Sequence, residues 1–156
     1  MSDILPVPHF GQSAEGYCLP ACARMVLSYL GLDHSEAEIS RILGTKPFGT
    51  PIFAIQRLAH SNLRVIFQEW SVSELLTKLA ARQTMIVSVR TGFLDYYYQE
   101  DFAHALVVVG AIQNDHFWVL DPFQTTGPLP VSWDGLLAAW SEFDYQGAVL
   151  LLAEER

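Results

Sequence analysis

The sequence predicts an α+β fold in which a helical N-terminal half packs on a C-terminal antiparallel β-sheet. Helical patterns dominate as far as His60, and strand patterns dominate after Ser61-Asn62. A chain that places its helices first and its strands later favours segregated layers over alternating βαβ units. A length of 156 residues suits one domain, spanning residues 1–156, with a substantial core.

The composition excludes several classes of protein. Hydrophobic residues make up 51% of the chain and charged residues 17%, which argues against disorder. The net charge of −8, without any cluster of Lys or Arg, argues against a nucleic-acid partner. No apolar run approaches the ~20 residues of a membrane helix, and no signal pattern precedes Asp3. We therefore expect a cytoplasmic protein without a membrane partner.

The N-terminal half carries clear helix signals. Residues 1–11 form an extended lead-in, because Pro6 and Pro8 disfavour helix. Three helices with recognisable start or stop residues follow. The first is predicted over residues 19–30 and is stopped by Gly31. The second runs from the capping box Ser35-Glu-Ala-Glu38 to Leu43 and is stopped by Gly44. The third runs from Thr50-Pro51 to His60.

The C-terminal half alternates strand and turn signals. Strands are predicted over residues 63–70, 85–89, 103–112, 117–120 and 147–153, with helices over 71–81 and 131–140. The segment 90–102 has no clear period and contains Tyr96-Tyr97-Tyr98. It is interpreted either as an ordered loop or as an aromatic lip over a substrate groove, and the second interpretation is preferred.

Cys18 lies where a loop becomes a helix. Pro20 fits only the first helical turn, so Cys18 stands at the helix N-terminus. Free N–H groups and the helix dipole favour negative charge there, so we expect this thiol to ionise readily and act as a nucleophile. The alternative is an inert, buried cysteine. Cys22, four residues later, is predicted to be a small packing residue, because helical geometry disfavours a disulfide with Cys18.

Gln12 precedes Cys18 by six residues. An acyl-transfer nucleophile needs hydrogen-bond donors for the oxyanion that develops on the attacked carbonyl. A side-chain amide and the backbone N–H of the nucleophile can supply two such donors. Gln12 is therefore a candidate oxyanion donor, whereas the nearby His9 is interpreted as a structural or surface residue.

Gln-x5-Cys at the start of a helix resembles the papain-like cysteine peptidases. The longer string Val-Pro-His-Phe-Gly-Gln…Cys-x-Pro-Ala-Cys, within residues 7–31, resembles the bacteriocin-processing, double-glycine-leader peptidases and their stand-alone relatives. The chain departs from that family at Leu19, where the family more often carries glycine. The resemblance implies a papain-like fold with a cleft between its two halves.

His104 opens the most hydrophobic predicted strand, and Asp121 ends the next one. His-Ala-Leu-Val-Val-Val-Gly resembles the His-strand of the family, and Val-Leu-Asp-Pro resembles its Asp-strand. His104 is interpreted as the general base rather than a core histidine. Asp121 is interpreted as its orienter, the alternative being a turn opener before proline.

The regular hairpin register does not bring these two residues together. A tight turn centred between Asn114 and Asp115 places Asp121 opposite Val108, about 13 Å along the strand from His104. A direct hydrogen bond between Asp121 and His104 would require a β-bulge, a strong twist or an asymmetric turn.

Together these residues predict a cysteine peptidase with a peptide or protein substrate and no metal or cofactor. Cys18 attacks, His104 transfers protons, and Asp121 orients the imidazole, while Gln12 stabilises the oxyanion. The alternatives are a catalytically silent peptide-binding domain of the same fold and an acyl transferase or deamidase that uses the same residues. Cleavage after paired glycines is not carried over from the family, since the chain has no transporter segment. The sequence leaves the oligomeric state undetermined.

Overall fold

A computed structural model of the chain describes residues 4–154. The α-helices are α1 (Cys18–Tyr29), α2 (Glu36–Leu43), α3 (Val72–Ala80) and α4 (Trp133–Ser141). The strands are β1 (Leu63–Glu69), β2 (Met85–Arg90), β3 (Ala103–Ile112), β4 (His116–Leu120), β5 (Leu129–Ser132) and β6 (Gln146–Leu152). Two short 3₁₀ helices span Ile52–Leu58 and Thr91–Phe93.

The strands form one antiparallel sheet in the order β1-β6-β2-β3-β4-β5. Alternate side chains of β3 face opposite layers, because strand side chains alternate with a period of two. Val107 and Val109 pack with α1, α2 and the first 3₁₀ helix, whereas Leu106 and Val108 pack with α3 and α4. The predicted α+β fold is confirmed, with a second helical layer on the other face of the sheet.

The ends of the helices follow the local signals in the sequence. Ser35 and Glu38 form a reciprocal capping box at the start of α2, and Ser71 and Glu74 form another at α3. Gly44 takes a left-handed conformation after α2, which glycine adopts without steric cost. Within residues 4–154, no helix is long and apolar enough to cross a membrane.

Two predictions about regular structure are wrong. The helix predicted from Thr50-Pro51 to His60 is a 3₁₀ helix that spans only Ile52–Leu58, and Thr50 does not cap it. The Thr50 hydroxyl instead donates to the Thr45 Oγ1 at 2.7 Å. Residues 129–132 form the edge strand β5, although residues 131 and 132 were predicted to belong to a helix. Pro130 is tolerated in β5 because an edge strand leaves N–H groups unpaired. Ser132 caps α4 as expected by accepting from Gly135 N at 3.0 Å.

The N-terminal segment runs along β3 and the end of β4. Leu5 N donates to Val109 O, and Gln12 N donates to Pro122 O, both at 2.8 Å. Between them, His9 Nε2 lies 2.9 Å from Asp121 O, which agrees with the structural role expected for His9. Residues 1–3 of the predicted lead-in lie outside the described residues. The segment is thereby attached to β3, which carries His104, and to Asp121 and Pro122 just after β4.

Candidate active site

An irregular hairpin brings Asp121 towards His104. Val108 pairs with Val119 rather than with Asp121, and the register shifts at Val109 through a β-bulge. The connecting turn is asymmetric, with Asn114 in a left-handed conformation at φ 64°. Extending the observed register by one residue places Asp121 opposite Leu106, on the same face as His104 and diagonal to it. The register predicted for a regular hairpin is therefore wrong.

The two side chains meet directly. His104 Nε2 lies 2.7 Å from Asp121 Oδ1, and the side chains are 2% and 0% exposed. This satisfies the geometric requirement for an orienting carboxylate. Asp121 also accepts from Phe123 N at 2.9 Å, as a turn-opening Asp does. Asp121 therefore contacts His104 and opens its own turn at the same time.

Two tyrosines complete the contacts of the Asp121 carboxylate. The hydroxyls of Tyr96 and Tyr97 both donate to Asp121 Oδ2 at 2.8 Å. Burial raises the pKa of both phenols, and the neighbouring Asp121 charge adds to the effect, so both remain donors. These hydroxyls lie on Asp121 rather than forming a lip over the cleft, while Tyr98 is 85% exposed. The three consecutive tyrosines indicated an aromatic lip, but the sequence does not show where their hydroxyls point.

Cys18 is the first residue of α1 and is half-buried. Cys18 and His104 line the same cleft, and the Cys18 side chain is among the neighbours that raise the pKa of His104. Since Nε2 of the ring is occupied by Asp121, Nδ1 is the nitrogen left for the Cys18 sulfur. Cys22, in contrast to Cys18, is fully buried, and its Sγ donates to Ala105 O at 3.4 Å. Burial, with the charges of Cys18 and Asp121, raises the pKa of the Cys22 thiol well above its usual value.

The electrostatics favour a charged His104. Burial by itself lowers the pKa of His104, but the hydrogen bonds and charges of Asp121 and Cys18 outweigh burial and raise it to about 9. For Asp121 the directions are reversed. Burial by itself raises the pKa of this carboxyl, but the contact with His104 and the other donors holds it below its ordinary value. The pair is therefore an imidazolium against a carboxylate at neutral pH.

Gln12 is fixed close to the two other groups. Its Nε2 donates to Ala14 O at 2.8 Å, which uses one of the two amide hydrogens. Its Oε1 is buried and has no hydrogen-bond partner among residues 4–154. Gln12 lines the same cleft as Cys18 and His104, and the second hydrogen of its Nε2 has no partner among residues 4–154.

The cleft has a volume of about 800 Å³. One wall comes from the loop before α1 and from the tight turn at residues 46–49, and the other from the segment that leads into β3. Gly16 allows the two parts of the first wall to touch, because a Cβ there would lie 2.4 Å from Pro47 O. No group of His, Cys, Asp and Glu in the described part of the chain is arranged to hold a metal ion.

Comparison with protein families gives a match over almost the whole chain. The model described as "Peptidase_C39 like family" matches residues 4–148. The chain belongs to this family. The resemblance stated from residues 7–31 is thereby confirmed. No curated protein sequence matches the chain.

Solved structures share the papain-like fold of this C39-like chain. A candidate C39-like peptidase from Bacillus anthracis has a TM-score of 0.80 at 16% identity, covering 100% of this chain and 98% of its own. The peptidase domain of Streptococcus ComA, a bifunctional ABC transporter involved in quorum sensing, has a TM-score of 0.71 at 20% identity, covering 94% and 98%. A double-glycine-motif protease from an AMS/PCAT transporter, solved with its leader peptide, has a TM-score of 0.61 at 17% identity, covering 96% and 92%. At these identities the likeness shows the fold.

The two tyrosine hydroxyls are expected to stabilise the folded protein. Tyr96→Phe or Tyr97→Phe removes one donor from a buried carboxylate and should lower the free energy of unfolding by about 1.5–3 kcal/mol. The double variant should lose more than the sum, because Oδ2 then has no donor among these contacts. Urea denaturation measures these values. Tyr98→Phe is the control, and losses no greater than in that variant would contradict the role assigned to the hydroxyls.

The raised pKa of His104 predicts a pH dependence of stability. Its value of about 9 exceeds the ordinary 6.5, so folding favours the protonated ring. The stabilisation from this group is therefore complete below pH 6.5 and is lost as the pH rises through about 9. The measurement is the difference in unfolding free energy between wild type and His104→Gln from pH 6 to pH 10. A difference that stays constant or grows over that range would contradict the assignment.

Proposed function

We propose that this C39-like protein is a cysteine peptidase that hydrolyses peptide bonds, with Cys18, His104, Asp121 and Gln12 as its catalytic group. The observation that carries the proposal is the 2.7 Å contact of His104 with the buried Asp121, beside Cys18 in one open cleft. A nucleophile, a base and an orienter gathered in this way are the arrangement that thiol acyl transfer requires.

The chemistry follows from the positions of these groups. The Cys18 thiolate attacks the scissile carbonyl carbon, and the carbonyl π-electrons move to oxygen. The second N–H of Gln12 Nε2 and the backbone N–H of Cys18 stabilise that oxyanion. His104 then protonates the leaving amine as the C–N bond breaks, which leaves a thioester on Cys18. A water molecule that gives its proton to His104 attacks the thioester, and the acid product and the Cys18 thiol are released.

Asp121 acts through His104 rather than on the substrate. Its Oδ1 accepts from Nε2, which directs Nδ1 towards Cys18 and stabilises the imidazolium that forms when the thiol ionises. Because Asp121 is wholly buried, water does not compete for this contact.

The departure from the family at Leu19 does not argue for a silent protein. Leu19 lines the cleft, but its side chain is 1% exposed and belongs to the same core cluster as Met25 and Ile55, so it takes little of the open space beside Cys18. Cys18 itself remains partly open to solvent. An intact catalytic group beside an unblocked cleft favours hydrolysis over binding alone.

The substrate class proposed is a peptide or protein. The double-glycine-motif protease of the AMS/PCAT transporter was solved in complex with its leader peptide. A cleft of about 800 Å³ can hold several residues of an extended chain, which supports a peptide substrate here. A preference for paired glycines is not part of the proposal, and a cytoplasmic location remains a prediction from the sequence.

Cleavage of mixed peptides tests the proposal. Wild type should generate new termini detectable by mass spectrometry, and Cys18→Ala should generate none above background. Gln12→Ala should fold normally but turn over about 10²–10³ times more slowly, the usual loss for one oxyanion donor. Cys22→Ala is the matched control and should retain activity, because Cys22 lies outside the cleft. Equal product from wild type and Cys18→Ala would overturn the proposed function.

A further inference from the structure

We propose that the cleft selects peptides that are apolar and cationic, with Lys or Arg on either side of an aromatic or aliphatic residue. The inference rests on the proposed function and deepens it, since it names the substrate class of the same site. Two independent properties of the cleft walls support it: exposed aromatic rings and unpaired carboxylates.

Aromatic side chains lie on both walls. Phe48 is 88% exposed and Phe53 is 55% exposed on the helical side of the cleft. Phe102 and Phe123 lie on the other side, with ring centroids 5.4 and 6.2 Å from that of His104. Exposed aromatic rings that converge on one cleft mark a binding surface, because leaving them in water is unfavourable. The residues that contact them should therefore be apolar, or should be cations that stack on the rings.

The charges of the walls are of one sign. Apart from His104, the charged residues that line the cleft are Glu15 and Glu100. Glu15 belongs to the loop before Cys18 and Glu100 to the loop before β3, so the two carboxylates stand on opposite walls. Among residues 4–154, no Lys or Arg lines the cleft.

Both carboxylates are free to bind a ligand. Within residues 4–154, neither Glu15 nor Glu100 forms a salt bridge or a side-chain hydrogen bond. The neighbouring Asp101 is different, because Arg90 Nε lies 3.1 Å from its Oδ1 and neutralises it. A free Glu100 beside a paired Asp101 leaves uncompensated negative charge on the side of the cleft.

The net negative charge of the whole chain also favours cationic ligands. The net charge is −8, and a cleft lined by one sign of charge attracts ligands of the opposite sign. The His104–Asp121 pair does not offset this field, because its charges cancel at the site. Cationic peptides should therefore bind faster and more tightly than anionic ones, with a preference that falls as salt is added.

Binding and cleavage are measured separately with one set of peptides. The peptides share a central phenylalanine–leucine pair and differ only in flanking lysine, norleucine or glutamate. Fluorescence anisotropy with the Cys18→Ala protein gives dissociation constants that do not depend on turnover. Wild type cleaves the same peptides in a parallel assay. Glu15→Gln, Glu100→Gln and their combination remove the cleft charges. Asp33→Asn and Glu154→Gln, singly and together, change the net charge by the same amounts at exposed positions that do not line the cleft.

At low salt, lysine-flanked peptides should bind the Cys18→Ala protein about tenfold more tightly than glutamate-flanked ones. The double cleft substitution should remove most of this preference and leave binding of the norleucine peptide unchanged, while the double control Asp33→Asn/Glu154→Gln should preserve the preference. Equal binding of lysine and glutamate peptides, or an equal loss of preference in the double control, would overturn the inference. If the preference holds but wild type cleaves no peptide, the proposed function fails while the ligand class stands.

Discussion

The burial of one carboxylate organises this structure. Asp121 is wholly removed from solvent, and an ionised carboxylate in that position is unfavourable unless donors surround it. Donors come from His104, Phe123 N and the hydroxyls of Tyr96 and Tyr97. The contacts join the start of β3, the end of β4 and the loop between β2 and β3. Removing a donor therefore disturbs several elements at once.

The same short segment also positions the oxyanion candidate. The backbone carbonyls of Asp121 and Pro122 accept hydrogen bonds from His9 and from Gln12 N. The N-terminal segment is attached a second time at the bulge, where Leu5 N donates to Val109 O. The β-bulge thus brings Asp121 towards His104 and also provides an anchor for the segment that carries Gln12. Cys18 follows that segment directly as the first residue of α1.

Most of the fold was predictable because its signals are local. Capping boxes at Ser35 and Ser71 act within four residues, and the apolar run of β3 identifies a strand buried on both faces. The four-residue edge strand β5 was missed, since Pro130 argues against a strand unless the strand is known to lie at an edge. The 3₁₀ geometry of Ile52–Leu58 was also missed, because the proline signal that starts it serves both kinds of helix.

The site was predictable in its membership but not in its geometry. Gln12, Cys18, His104 and Asp121 were identified from spacing and family resemblance, and their catalytic roles remain predictions. The contact between Asp121 and His104 depends on an unpaired residue at Val109, for which the valine-rich sequence carries no signal. The tyrosine contacts depend on the path of the loop over β3, which is a long-range property. The negative cleft was not foreseen either, because Glu15 and Glu100 are far apart in sequence.

The central claim is that Asp121 acts on Cys18 only through His104. The most direct test is the rate of Cys18 alkylation by iodoacetamide at neutral pH in wild type, His104→Ala, Asp121→Asn and the double variant. The rate should fall in both single variants, and less in Asp121→Asn than in His104→Ala. The double variant should equal His104→Ala, since groups that act as one unit are non-additive. A further fall on adding Asp121→Asn to His104→Ala would contradict the claim, and so would a wild-type rate in His104→Ala.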